Sequence, residues 1–123
     1  MRSMVIKEWQ VASLEEIEDP GAREFCTGGG DWPFRGVVVR WKGGVYTYAN
    51  SCAHLGHPLN FDPDRFFTQD QKFLLCGSHG ALFEPDTGLC ISGPCLGSSL
   101  RSLVCRVEGN LVFAQAPDTM REA

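Results

Sequence analysis

Glycine and proline punctuate this chain so often that long helices are excluded: 14 glycines and 7 prolines fall between short apolar runs, without an internal repeat. Proline removes a backbone donor and breaks helices, and glycine readily takes the positive φ that tight turns need, so short strands and turns remain. Val37 to Trp41 and Val45 to Tyr48, joined by Lys42-Gly43-Gly44, predict a hairpin. A second hairpin is predicted from Leu103 to Val107 through Glu108-Gly109-Asn110 into Leu111 to Ala114, with Leu103, Cys105 and Val107 alternating against Val104 and Arg106. A third turn, Glu84-Pro85-Asp86-Thr87-Gly88, separates Ala81 to Phe83 from Leu89 to Ile91. The one helix candidate is a short segment, Leu14 to Ile17, with Ser13 as N-cap and Glu16 at the capping-box position. The reading is all-β with antiparallel sheets.

At 123 residues and 43% hydrophobic, the chain fits one domain. A domain of that size buries somewhat under about 70% of its unfolded surface, so its six cysteines are not needed as staples. A net charge of -4 with scattered basic residues disfavours a nucleic-acid partner. Met1 to Gln10 contains no apolar leader core, and no stretch approaches the roughly 20 apolar residues that span a bilayer, so the expectation is a cytoplasmic protein without a membrane anchor. Cytosolic thiols are normally reduced, which favours metal ligation or catalysis over a disulfide framework.

Two Cys/His elements occupy the middle of the chain. Cys52-Ala53-His54 is followed, after the 21 residues from Leu55 to Leu75, by Cys76-Gly77-Ser78-His79. With six cysteines and three histidines in 123 positions, a chance Cys-x-His is expected only about 0.15 times, and Cys-x-x-His about as often. Each element follows a β-rich run, Val45 to Asn50 or Lys72 to Leu75, and each precedes a glycine-bearing turn, Leu55-Gly56-His57-Pro58 or Gly80-Ala81. Two such loops, facing each other, would bring four side chains around one small inorganic centre.

The run Trp41-Lys42-Gly43-Gly44-Val45-Tyr46-Thr47-Tyr48-Ala49-Asn50-Ser51-Cys52-Ala53-His54-Leu55-Gly56-His57-Pro58-Leu59, with Cys76-Gly77-Ser78-His79-Gly80-Ala81-Leu82-Phe83, Thr87-Gly88 and Gly93-Pro94, resembles the Rieske iron-sulfur proteins from about Phe34 to Phe113. The resemblance implies one 2Fe-2S cluster, with Cys52 and Cys76 on one iron and His54 and His79 on the other. It places Leu55, Gly56, His57, Gly80 and Pro94 around that cluster, Gly93-Pro94 forming a third, covering loop. It also implies the Rieske fold: antiparallel sheets, with a small cluster-binding subdomain (about 50–96) inserted in a β base domain (about 4–49 and 97–116). Mixed ligation has a physical basis in charge: two ferric ions, two sulfides and two thiolates sum to zero, whereas four thiolates leave minus two. A neutral centre accepts an electron more easily, which lifts the potential into the roughly -150 to +300 mV range from about -400 mV.

High-potential members of the family carry an extra cysteine in each ligand loop, and a serine and a tyrosine that donate to the cluster; the matching positions here are His57, Ser78, Ala81 and Phe83. The expectation is a potential near the lower end of the range. The pattern is similar to Rieske ferredoxins that serve oxygenases and to the small Rieske subunit of assimilatory nitrite reductase. These are electron carriers, so the implied partners are redox proteins, a reductase and an oxygenase or similar. The imidazole nitrogens not bound to iron would titrate, linking reduction to protonation. After the four ligands only His57 remains, whereas a mononuclear 2-His-1-carboxylate site needs two histidines, so no substrate site is expected. Electrons would leave through His54 and His79, among apolar contacts from Leu55, Pro58, Leu82, Pro94 and Leu96.

Other readings stand beside these. The same four donors suit a structural Cys2His2 zinc site, which would be colourless. His57 reads equally as a residue near the cluster or as a surface histidine in a turn. Cys90 and Cys95 read as a disulfide or redox pair by spacing, and more simply as two small buried thiols. Cys105 reads as core and Cys26 as part of a Gly-rich loop; Gly28-Gly29-Gly30 lacks the following helix of a phosphate cradle. In the segment 60–71, Phe66 and Phe67 read as packed on the base domain or as a partner-binding rim.

Overall fold

The computed structural model describes residues 5–29, 33–51, 59, 65–76 and 80–118. Among the described residues, ten strands form three antiparallel sheets. The four-stranded sheet has the order β2-β3-β4-β8, where β2 is Gly21–Thr27, β3 Phe34–Trp41, β4 Gly44–Ala49 and β8 Ser102–Leu103. A three-stranded sheet orders β1 (Val5–Ser13), β10 (Leu111–Asp118) and β9 (Cys105–Glu108), with β10 central. A smaller one orders β5 (Leu74–Leu75), β6 (Leu82–Phe83) and β7 (Cys90–Ser92).

The unbroken apolar run of β3 explains how these sheets stack. Val37, Val38 and Val39 are all fully buried. Side chains alternate across a strand, so Val37 and Val39 enter one cluster with Tyr48, Leu59, Phe66, Leu74, Cys76 and Phe83, while Val38 enters another with Ala12, Ile17, Phe25, Val112 and Ala114. The four-stranded sheet is therefore the middle layer. Its first face carries the small β5-β6-β7 sheet and its second the β1-β10-β9 sheet. A strand covered on both faces has no solvent side on which to place polar residues.

The β3-β4 hairpin forms in the predicted place, with a tighter turn than Lys42-Gly43-Gly44. Lys42 (φ 48°) and Gly43 (φ 83°) are both left-handed, the pattern of a two-residue type I′ turn, and Gly44 begins β4 opposite Trp41. The Lys42 and Gly43 amides donate to the Asp19 carboxylate at 3.0 and 2.8 Å. The second hairpin corrects the sequence reading. Leu103 pairs with Thr47 of β4, whereas Cys105 to Glu108 pair with β10, so the run from Leu103 to Val107 changes sheets at Val104. Alternation within one run does not reveal which neighbour each half finds.

Leu14–Glu16 is a single 3-10 turn with its Ser13/Glu16 capping box in place. Cys26 is likewise corrected: it is an exposed residue of β2, paired across from Arg35, not part of a glycine loop. β1 and β2 had no marked signal, because β1 shows mostly exposed side chains and polar residues interrupt both.

Candidate metal centre

Hydrogen bonds hold the described residues that flank the two Cys/His elements, at the ends of β4 and β5. The first departs from β4. The Asn50 amide donates to the Arg35 carbonyl at 3.0 Å, and its side chain is buried. Asn50 Nδ2 donates to Glu24 Oε2 at 2.7 Å and its Oδ1 accepts the Leu59 N–H at 2.8 Å. Arg35 Nε donates to the same Glu24 oxygen, and this contact raises the Arg35 pKa. Asn50 thus holds the place where the loop leaves and the place where it returns, with both amide atoms assigned by their partners.

Cys76 begins the second loop, at the end of β5. Its amide donates to the Ala81 carbonyl and its carbonyl accepts the Gly80 N–H, both at 2.9 Å, closing a tight turn in which Gly80 has φ 73°. The Cys76 side chain is fully buried, in the same cluster as Leu59, Ala81 and Cys95. The two loop bases and the third loop therefore share one apolar floor.

That third loop is the turn after β7. Gly93 (φ 104°) lies so close to the second loop that a Cβ on it would stand 2.8 Å from the Ala81 Cα. Only glycine meets both the conformation and the approach. Pro94 and Leu96 follow on the same turn and are both exposed, Leu96 at 69%. Gly93 thus packs directly against Ala81, the residue that follows Gly80.

Of the residues expected at the centre, Cys76, Gly80 and Pro94 are placed on this loop cluster. Cys52, His54, Leu55, Gly56, His57 and His79 lie outside the described residues, as do Pro58 and Ser78. Among the described residues, no three His, Cys, Asp or Glu side chains converge. The placed features nonetheless suit a sulfide-bridged iron centre: a soft thiolate donor at a buried, apolar base, between two pinned loops. Ala81 and Phe83 are fully buried and present no hydroxyl to such a centre. Asn50 is the residue that sequence reasoning passed over. Its signal was a polar residue, directly before Ser51-Cys52, at the end of a strand whose last residues are buried.

The remaining side chains divide as follows. Cys90 and Cys95 are both buried, with Sγ atoms 3.0 Å apart. Cys105 is half-buried against the second cluster, Phe66 is fully buried in the first, and Phe67 stacks on Trp41 with centroids 6.0 Å apart. The two phenylalanines are packing residues. A cleft of about 460 Å³ between Glu16–Arg23 and Arg65–Gln71 contains none of the expected ligands. No helix is long and apolar enough to cross a membrane among the described residues.

Comparison with known proteins yields one family: residues 8–110 match the model described as Rieske [2Fe-2S] domain. A search of curated proteins found no match. Among solved structures, the ferredoxin of carbazole 1,9a-dioxygenase from Nocardioides aromaticivorans IC177 is similar at 22% identity and TM-score 0.66, over 87% of this chain and 95% of that one. The Sphingomonas yanoikuyae B1 ferredoxin is similar at 19% identity and TM-score 0.67, over 90% and 100%. The terminal oxygenase of carbazole 1,9a-dioxygenase from Novosphingobium sp. KA1 gives 20% identity and TM-score 0.70, over 87% of this chain but 29% of that one. At such identities the likeness concerns the fold.

Proposed function

Because this chain belongs to the Rieske [2Fe-2S] domain family, we propose that Cys52 and Cys76 hold one iron of its cluster and that His54 and His79 hold the other. When bound, the cluster takes up and releases single electrons at a potential set by its ligands and their surroundings. The chain's own residues supply the seat: Asn50 holds Leu59 to the end of β4, Cys76 is hydrogen-bonded to Ala81 and to Gly80, and Gly93 packs against Ala81. The single observation that carries the reading is the fully buried Cys76, at the floor shared by both loop bases.

The function is electron transfer. We assign the partner to the oxygenase class, reached through a reductase, because the similar ferredoxin from Nocardioides is named as part of a dioxygenase and matches along nearly its whole length. The chain is a carrier, with chemistry on substrate left to that partner. The cluster-binding subdomain is assigned to about 50–96, since β5, β6 and β7 all fall within it, between β4 and β8 of the middle sheet.

The test is the electron paramagnetic resonance spectrum of the dithionite-reduced protein. A rhombic signal with mean g below that of all-cysteine clusters is expected, and it disappears in Cys76→Ser and His79→Ala. A colourless protein holding zinc would overturn the assignment. Protein-film voltammetry is expected to place the potential near the lower end of the roughly -150 to +300 mV window. A value above about +150 mV contradicts the account of Ala81 and Phe83.

A further inference from the structure

Cys90 and Cys95 have no part in the cluster assignment, yet they are the two described sulfurs in direct contact. Cys95 Sγ donates to Cys90 Sγ at 3.0 Å, and Cys90 Sγ donates onward to the Ser92 carbonyl at 3.3 Å. The backbone holds the pair in place from both sides. The Cys90 N–H donates to the Ser98 carbonyl, and the Gly97 and Ser98 amides donate to the Cys90 and Cys95 carbonyls. A disulfide needs its sulfurs about 2.05 Å apart, about 1 Å closer than they stand here.

We propose that Cys90 and Cys95 form a reversible dithiol/disulfide site, oxidised by low-molecular-weight disulfides, which ties the Gly93–Gly97 turn to β7. Cys95 is the entry sulfur: it sits on the turn and is 7% exposed, against 1% for Cys90. Its thiolate attacks one sulfur of the small disulfide, forming a mixed disulfide and releasing one small thiolate. The Cys90 sulfur then attacks Cys95 Sγ, the Cys90–Cys95 bond forms, and the second small thiolate leaves. The two protein thiols lose two electrons and two protons, and the small disulfide gains both as it departs as two thiols. Because Gly93 rests on Ala81, the tied turn is one that covers the second loop.

The holoprotein is incubated without oxygen in oxidised glutathione, quenched in acid, denatured, alkylated and digested with trypsin. The peptide from Phe73 to Arg101 contains Cys76, Cys90 and Cys95. It is expected to carry one alkyl group, on Cys76, with an internal Cys90–Cys95 disulfide that dithiothreitol reverses, while the visible spectrum of the protein before quenching is unchanged. Exposed Cys26 reports that the reagent acted. Three alkyl groups on that peptide, with Cys26 glutathionylated, overturn the proposal, as does a disulfide involving Cys76. In Cys90→Ser, glutathione is expected to accumulate on Cys95, and no adduct there overturns its assignment as entry sulfur. Slower amide exchange at Gly97 and Ser98 in the oxidised protein is expected of a tied turn, and unchanged exchange overturns that effect.

Discussion

Single residues set the conditions at the proposed centre. Ala81 and Phe83 fill fully buried positions that carry hydroxyl donors in high-potential members of the family. A hydrogen bond to a cluster sulfur stabilises the added electron, so Phe83→Tyr is expected to raise the potential measured by voltammetry, moving it upward within the roughly -150 to +300 mV range. Tyr48 shows a different residue-scale effect. Its hydroxyl donates to the Pro85 carbonyl at 2.8 Å inside the core, and burial first, then Asp86, pushes its pKa up from the ordinary 10.0. A tyrosine raised in the folded state stabilises the fold fully below its unfolded pKa and loses that contribution as pH rises, because the unfolded chain can ionise where the folded one resists. Urea midpoints are therefore expected to fall with pH above about 10, and less steeply in Tyr48→Phe.

At the scale of elements, turns and strand ends carry the site. The Lys42-Gly43 turn sets the register of β3 on β4, and thereby the point at which Asn50 leaves the sheet. Asp19→Ala removes two hydrogen bonds to that turn; each charge-assisted bond contributes about 1.5 kcal/mol or more when shielded, so at this exposed turn a loss of about 1 kcal/mol in denaturant unfolding is expected. At Gly93 the cost is local. Gly93→Ala places a methyl within 2.8 Å of the Ala81 backbone and adds strain at φ 104°. Faster loss of the visible cluster absorbance on heating is expected, with little change in the β1-β10-β9 sheet. Cys/His spacing and turn residues were legible here because each is a local signal. The switch of sheets at Val104 was not, since it depends on Thr47, 56 residues before Leu103, whose hydroxyl donates to the Leu103 carbonyl.

Across the whole molecule, the described strands form three sheets, and Leu96, on the turn that follows β7, stands 69% exposed. Encounters between electron carriers bury little surface, commonly under about 1,200 Å², so one apolar contact weighs heavily. Leu96→Glu is expected to slow electron transfer to the proposed oxygenase partner about tenfold, the effect of about 1.4 kcal/mol, while the reduced spectrum stays unchanged. An unaltered rate would move the docking surface elsewhere. The sequence by itself determined the β class and the place of the β3-β4 hairpin, and it supplied the four residues proposed as donors, because glycine and proline act on their own backbone and a ligand must be the right residue type. Tertiary structure alone decided that Val37 and Val38 serve different cores, that Asn50 joins Glu24 to Leu59, and that Cys90 touches Cys95. Those outcomes depend on which distant surfaces meet, and burial and hydrogen bonding are satisfied only once the chain has folded.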